Sequence, residues 1–276
     1  MELRPSFYDA FACKAGECRH SCCRGWEIDV DADSAAYYGA LPGPLGEELR
    51  QALRQDGETW SFALTPEDNC PFLRSDGLCR LYAELGEDAL CDVCALHPRF
   101  FAEIGSLSLS GLGLSCEAVA QLLAEQPGEL LFLDEADRPL RLCDIFTQLG
   151  YRLPAGALEY VPHPERRENM FRRYRRCEAI DEEWSRSLSG LASAPAVNPA
   201  HWDKALFQRV FDYILYRQLD RLEDRGLPAV LSFAREAADF LFLWTAQTGD
   251  AAECLRRWSA EIEYSDQNVD LLMSDF

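Results

Sequence analysis

The sequence predicts a mainly α-helical protein in two parts: a cysteine-rich N-terminal module of loops, short helices and minor β structure (1–128), then a helical domain (129–276). Three observations predict it. Nine of the twelve cysteines lie between Cys13 and Cys116. Turn signals cut that stretch into short elements. Beyond it, apolar residues recur at helical spacing.

Taken in order, Asp33 is placed to cap a helix running to about Arg54. Trp60-Ser61-Phe62-Ala63-Leu64 alternates as a short strand that Pro66 ends. Ser75-Asp76-Gly77 marks a turn between Cys70 and Cys79. Helical pieces are expected over Leu81–Leu85, Glu87–Leu96 and Glu117–Glu125, with a strand over Ile104–Leu109. The segment 188–197, rich in Ser, Ala, Gly and Pro, reads as a linker. Asn198-Pro199 is a cap followed by a first-turn proline. Phe207, Val210, Phe211, Ile214 and Leu215 then share one helical face. Gly226-Leu227-Pro228 breaks that helix, and Val230, Phe233, Ala237, Leu241 and Trp244 line the next. Asp250-x-x-Glu253 resembles a capping box ahead of Leu255, Trp258 and Ile262.

Composition narrows the class. Acidic residues outnumber basic ones by 47 to 27, for a formal charge of -20. Nucleic-acid binding, which needs clustered Lys and Arg, is not expected. Nor is a membrane span, since no apolar run approaches the roughly 18 residues one requires. The opening residues lack a signal-peptide pattern, so the expected compartment is the cytoplasm. There, clustered cysteines read as metal ligands rather than disulfides.

The spacing is Cys13-x4-Cys18-x3-Cys22-Cys23, then Cys70-x8-Cys79, Cys91-x2-Cys94 and Cys116. Thiolates two or three residues apart can converge on one ion, and they suit zinc or iron–sulfur clusters. Adjacent side chains usually diverge, so the Cys22-Cys23 doublet suggests either two sites meeting there or one cluster with spare thiols. The radical S-adenosylmethionine pattern C-x3-C-x2-C is absent, because Gly25 stands where its third cysteine belongs.

The flanking residues resemble the flagellin lysine-N-methylase family, whose cysteine-rich part belongs to the CxxCxxCC group of zinc- or iron-chelating domains. The similar segments run from Cys18 through Cys22-Cys23, Gly25-Trp26 and Asp29. They continue with Cys70-Pro71-Phe72-Leu73, Gly77-Leu78-Cys79-Arg80-Leu81-Tyr82 and Leu85-Gly86-Glu87. Cys91, Cys94, His97-Pro98-Arg99-Phe100, Leu109-Ser110 and Ser115-Cys116 follow. The tail Glu263-Tyr264-Ser265-x-x-Asn268 is similar to the end of that family. The resemblance is dense over about the first 125 residues.

It implies a cytoplasmic enzyme with an iron–sulfur cluster, of the 4Fe-4S type, or zinc in its place. That enzyme would transfer methyl groups from S-adenosylmethionine to lysine amines of flagellin or a similar protein. The nine cysteines would be the metal ligands. Read from its place after Cys94, Arg99 could pair with a carboxylate such as that of S-adenosylmethionine or be a satisfied structural residue. A non-catalytic zinc or iron module and an electron-transfer protein are the other readings. Direct displacement by a neutral lysine amine needs no metal, so the role of a cluster stays open between structure and radical chemistry.

Other features have plainer readings beside them. Gly111-x-Gly113 could cradle an adenosyl group or be a simple turn. His97 could ligate metal or be a structural pair, and His20 reads as a loop residue. Arg172, Arg173, Arg175 and Arg176 around Tyr174 form either an anion-docking patch or internal salt bridges. Cys143, Cys177 and Cys254 are expected as packed core.

Overall fold

Helices dominate the fold. The computed structural model describes residues 1–195 and 202–274. Contacts divide the chain into a larger unit, Met1–Phe11 with Arg99–Phe276, and a smaller unit, Ala12–Pro98. The strand β1 (Glu2–Pro5) opens the chain and belongs to the larger unit.

In the smaller unit, β2 (Ile28–Val30) leads into the helices α1 (Ala32–Ala40) and α2 (Gly43–Ala52). The strands β3 (Leu53–Asp56) and β4 (Thr59–Phe62) complete an antiparallel sheet in the order β2-β4-β3. Two short helices follow, α3 (Arg80–Leu85) and α4 (Asp92–Leu96). The expected single helix from Asp33 to Arg54 is thus two helices, because Pro42 holds Leu41 in extended backbone.

The cap also lies earlier than expected. Asp31 accepts from the Ser34 N–H at 2.8 Å with one carboxylate oxygen, and from the Asp92 N–H at 3.0 Å with the other. One side chain therefore caps α1 and supplies the start of α4. Burial opposes its ionisation, but the bonds from Asp92 and Ser34 outweigh that and hold it below the usual carboxylate range. The same constraint explains why Glu87–Leu96 is not one helix. A turn of 3-10 helix (Glu87–Ala89) ends where the Tyr38 hydroxyl donates to the Ala89 carbonyl at 2.7 Å, and α4 starts afresh at Asp92. Tyr38, Leu49, Phe62, Phe72 and Leu81 pack this unit together with Cys70 and Cys91.

The larger unit continues with β5 (Arg99–Ile104) and β6 (Leu107–Leu112), an antiparallel hairpin turning at Gly105-Ser106. The expected strand over Ile104–Leu109 in fact straddles this turn. Next come α5 (Glu117–Glu125), β7 (Phe132–Leu133), β8 (Pro139–Leu140) and α6 (Leu142–Gln148). The five-stranded sheet has the order β5-β6-β1-β7-β8, with β1 parallel to β6 and antiparallel to β7. Residues 99–128, grouped with the cysteines on sequence, pack within this unit.

The remaining helices are α7 (Arg167–Tyr174), α8 (Glu182–Ser193), α9 (Lys204–Arg217), α10 (Leu222–Arg225), α11 (Leu227–Thr248), α12 (Ala251–Trp258) and α13 (Asp266–Met273). A π-helical turn, Ser259–Glu263, joins the last two. Residues 188–193 of the expected linker are the end of α8, whose Leu188 and Leu191 are buried. Asn198 and Pro199 lie outside the described residues, and Asp203 caps α9 by accepting from the Leu206 N–H at 2.9 Å. The apolar stripes predicted for α9, α11 and α12 are all buried. Asp250 accepts from the Glu253 N–H at 3.0 Å, as the capping-box pattern expects. Tyr174 stacks on Phe240 at 4.3 Å and accepts from the Trp258 indole at 3.0 Å, so α7, α11 and α12 meet at one point. No helix among the described residues is long and apolar enough to cross a membrane.

Asp31→Ala should lower the unfolding free energy by about 1–3 kcal/mol, since two helix starts lose one partner. Urea unfolding followed by circular dichroism measures this. A loss below ~0.5 kcal/mol would show that the double cap carries no weight.

Candidate metal centre

The smaller unit contains eight of the nine candidate ligand cysteines, and Cys116 heads α5 in the larger unit. None of the twelve cysteines forms a disulfide. Backbone bonds bring the outlying cysteine segments of the smaller unit together. The Cys70 N–H donates to the Cys23 carbonyl at 2.8 Å, and the Gly25 N–H to the Asp68 carbonyl at 2.8 Å. The loop from Cys70 to Cys79 closes on itself through the expected turn, where the Gly77 N–H donates to the Arg74 carbonyl at 3.0 Å. Gly77 has φ +80°, a conformation that favours glycine. Cys79 and Cys91 each precede a helix, and Cys94 sits in the first turn of α4.

Five thiols share one electrostatic neighbourhood: Cys23, Cys70, Cys79, Cys91 and Cys94. Burial pushes Cys70 up to about 12, and the charges of Cys23, Cys79 and Cys91 add to the rise. Burial likewise raises Cys79. Cys91 is lowered by the hydrogen bond it receives from Cys94, whose own thiol is raised by holding that proton and by burial. Cys23 is held down to about 7 by a hydrogen bond from Cys22. Cys22 and Cys23 sit in a turn.

Mutually destabilised thiolates are the donor set that a soft cation relieves, so in chemistry these residues fit zinc or an iron–sulfur cluster. As placed, no group of three or more His, Cys, Asp or Glu side chains among the described residues closes around a single ion. Cys13 and Cys22 are exposed and Cys18 is half-buried. His97 ends α4, its ring lies 6.3 Å from that of Trp26, and burial lowers it to about 4. It is therefore a neutral imidazole near neutral pH.

The other candidates resolve as follows. Arg99 lies in the larger unit with its guanidinium 5.5 Å from the Phe11 ring. Gly111 is no cradle for an adenosyl group. It faces Phe100 across the hairpin, and a Cβ there would collide with the Phe100 ring. Leu112 beside it is tied by both its N–H and its carbonyl to the Tyr213 hydroxyl, at 2.8 and 2.6 Å. In the arginine patch, Arg173 pairs with Glu236 of α11, as the salt-bridge reading expects. Cys177 and Cys254 are buried. Cys143 is not: α6 turns it outward, onto a groove of about 490 Å³ bounded by Tyr151–Glu159.

On this geometry the chain is a helical protein with a thiol-rich smaller unit. Its relatives make the class more specific. It is 30% identical over 129 residues to a lysine-N-methylase of Salmonella typhimurium and to one of Salmonella choleraesuis, covering 45% of this chain and 32% of each relative. It is 29% identical over 129 residues to the flagellar biosynthetic protein FliU of Salmonella muenchen, covering 76% of that protein. The chain thus matches about a third of the length of the first two relatives. No family model and no solved structure matches it. The resemblance to the flagellin lysine-N-methylase family, read from the cysteine-flanking residues, is borne out by these relatives.

Gly111→Ala should displace the Phe100 ring and cost about 1–3 kcal/mol of stability. Thermal unfolding tests it, and an unchanged midpoint would mean that the ring moves aside freely.

Proposed function

We propose that this protein is an S-adenosylmethionine-dependent lysine N-methyltransferase acting on flagellin or a similar protein, with an iron–sulfur cluster or zinc held by its cysteines. The kinship over 129 residues with proteins named lysine-N-methylase carries the reading. The name of the FliU relative adds the flagellar context. The thiol neighbourhood supports the metal, because it gathers five cysteines from three sequence segments into one region.

The ligands would come from Cys23, Cys70, Cys79, Cys91 and Cys94, with Cys13, Cys18, Cys22 and Cys116 as the remaining candidates. A bound cluster or zinc would neutralise the thiolates and lock the loops that carry them. The methyl acceptor must be a neutral amine when it attacks the sulfonium, so a lysine near its ordinary value of about 10.4 has to lose a proton first. The protein's strong negative charge suits a lysine-bearing substrate by long-range attraction. A formal charge of -20 gives no comparable support to a nucleic-acid partner.

Two measurements test this reading. Anaerobically purified protein incubated with host flagellin and S-adenosylmethionine should add about 14 Da per transfer to lysine-containing peptides, the mass of the CH₂ gained when a methyl replaces a proton. An unchanged flagellin spectrum would refute the enzyme. Cys70→Ser should lower bound iron or zinc to less than about half of the native content, whereas Cys143→Ser should leave it intact. Equal metal content in both variants would refute the placement of the ligands in the smaller unit.

A further inference from the structure

The larger unit contains a second constellation, around Arg217 at the end of α9. The guanidinium carbon lies 4.2 Å from the centre of the Phe100 ring and 5.4 Å from that of Tyr264. These rings, 164 residues apart in sequence (264 minus 100), come from β5 and from the residue after the π-helical turn. Behind the guanidinium sits Glu263, whose side chain is 0% exposed. One of its oxygens accepts from the Ser259 hydroxyl at 2.7 Å. The other, Oε1, lies 3.7 Å from Arg217 Nε, and neither atom has a hydrogen-bond partner.

Several other arginines of this acidic chain make close carboxylate pairs. Arg80 pairs with Glu48 and Glu84, Arg221 with Asp266 and Asp270, and Arg257 with Asp181. The terminal nitrogens of Arg217 reach no acceptor among the described residues, and its side chain retains 13% exposure. Burial raises Glu263 against the pull of Arg217.

Two rings lie against the guanidinium, and the edge of its plane is the part suited to a ligand. That edge is a fork of parallel N–H groups, matched to the two oxygens of a carboxylate. The side chain is already immobilised, so binding costs little further rotamer entropy. A doubly charged phosphate would need a second cation, and the neighbouring Arg221 is committed to its own carboxylates. Asp220, exposed beside Arg217 and Arg221, offers negative charge for an ammonium on the same ligand.

We infer that Arg217, clamped by Phe100 and Tyr264, anchors a subsite for the carboxylate of a small amino-acid-type ligand. Identifying that ligand with the methionine arm of the methyl donor rests on the function proposed above.

Calorimetric titration of the native protein with S-adenosylhomocysteine and with methylthioadenosine, which lacks the amino-acid arm, tests this. S-adenosylhomocysteine should bind at least about tenfold more tightly. Arg217→Met should bring the two ligands to near parity by weakening S-adenosylhomocysteine alone. Arg217→Lys, which keeps the charge without the fork, should do the same and guards against a misfolded methionine variant. Retained discrimination in a folded Arg217 variant would overturn the inference, as would its loss in Arg99→Met instead. No binding of S-adenosylhomocysteine to the native protein would overturn it too. Lysine mass shifts judge the parent reading separately: if they appear while Arg217 variants still discriminate, only the subsite falls.

Discussion

The larger unit depends on two tyrosine hydroxyls that α9 sends into the sheet. Tyr213 bonds both the N–H and the carbonyl of Leu112, and Tyr216 reaches the carbonyls of Leu3 and Ser110 at 2.8 and 3.0 Å. This backbone belongs to β1 and β6; Leu3 and Leu112 are buried and Ser110 is half-buried, and an unpaired buried group would cost on the order of 1–3 kcal/mol. A helix that merely packed its apolar stripe on the sheet could slide or rotate. One that must satisfy named backbone atoms cannot. Phe7 packs edge-on to Tyr213 at 5.1 Å and Phe132 stacks on Tyr216 at 4.3 Å, so the hydroxyls and the rings fix the same position.

That position reaches the end of α9. Arg217 follows Tyr216 directly, and the hairpin that Tyr213 holds through Leu112 also carries Phe100. Gly111 leaves the space in which the Phe100 ring lies. The π-helical turn then places Glu263 and Tyr264 against the guanidinium, one behind it and one across it. The extra residue of such a turn re-aims side chains that a regular helix would point elsewhere, and this is where such turns serve binding sites. The surroundings of Arg217 are thus a consequence of satisfying the sheet.

The smaller unit solves a different problem. It has less apolar material, so polar pins specify its loops. Asp31 holds α1 and α4, Tyr38 holds the Ala89 carbonyl, and the Cys70 N–H reaches back to Cys23. These bonds gather thiols that repel one another once ionised, an arrangement that a bound soft cation would stabilise. The kinship with lysine-N-methylases gives that gathering a context, and it spans only part of each chain.

Local chemistry was legible without coordinates. The stripes of α9, α11 and α12, the cap at Asp250, the helix Glu117–Glu125 and the turn at Gly77 all depend on residues within a few positions of one another. Failures arose where a distant partner intervened. Asp31 outcompeted Asp33 as a cap because Asp92 also needed its carboxylate, and Leu188 and Leu191 made a helix of an apparent linker because a core was there to receive them. The sequence by itself determined the composition of the thiol cluster, the mainly helical class and the family likeness, since these lie in residue identity and spacing. Tertiary structure alone decided which thiols feel one another, and that Phe100, Arg217 and Glu263 meet. Those contacts join residues tens to more than a hundred positions apart, and only packing and the satisfaction of buried polar groups select them.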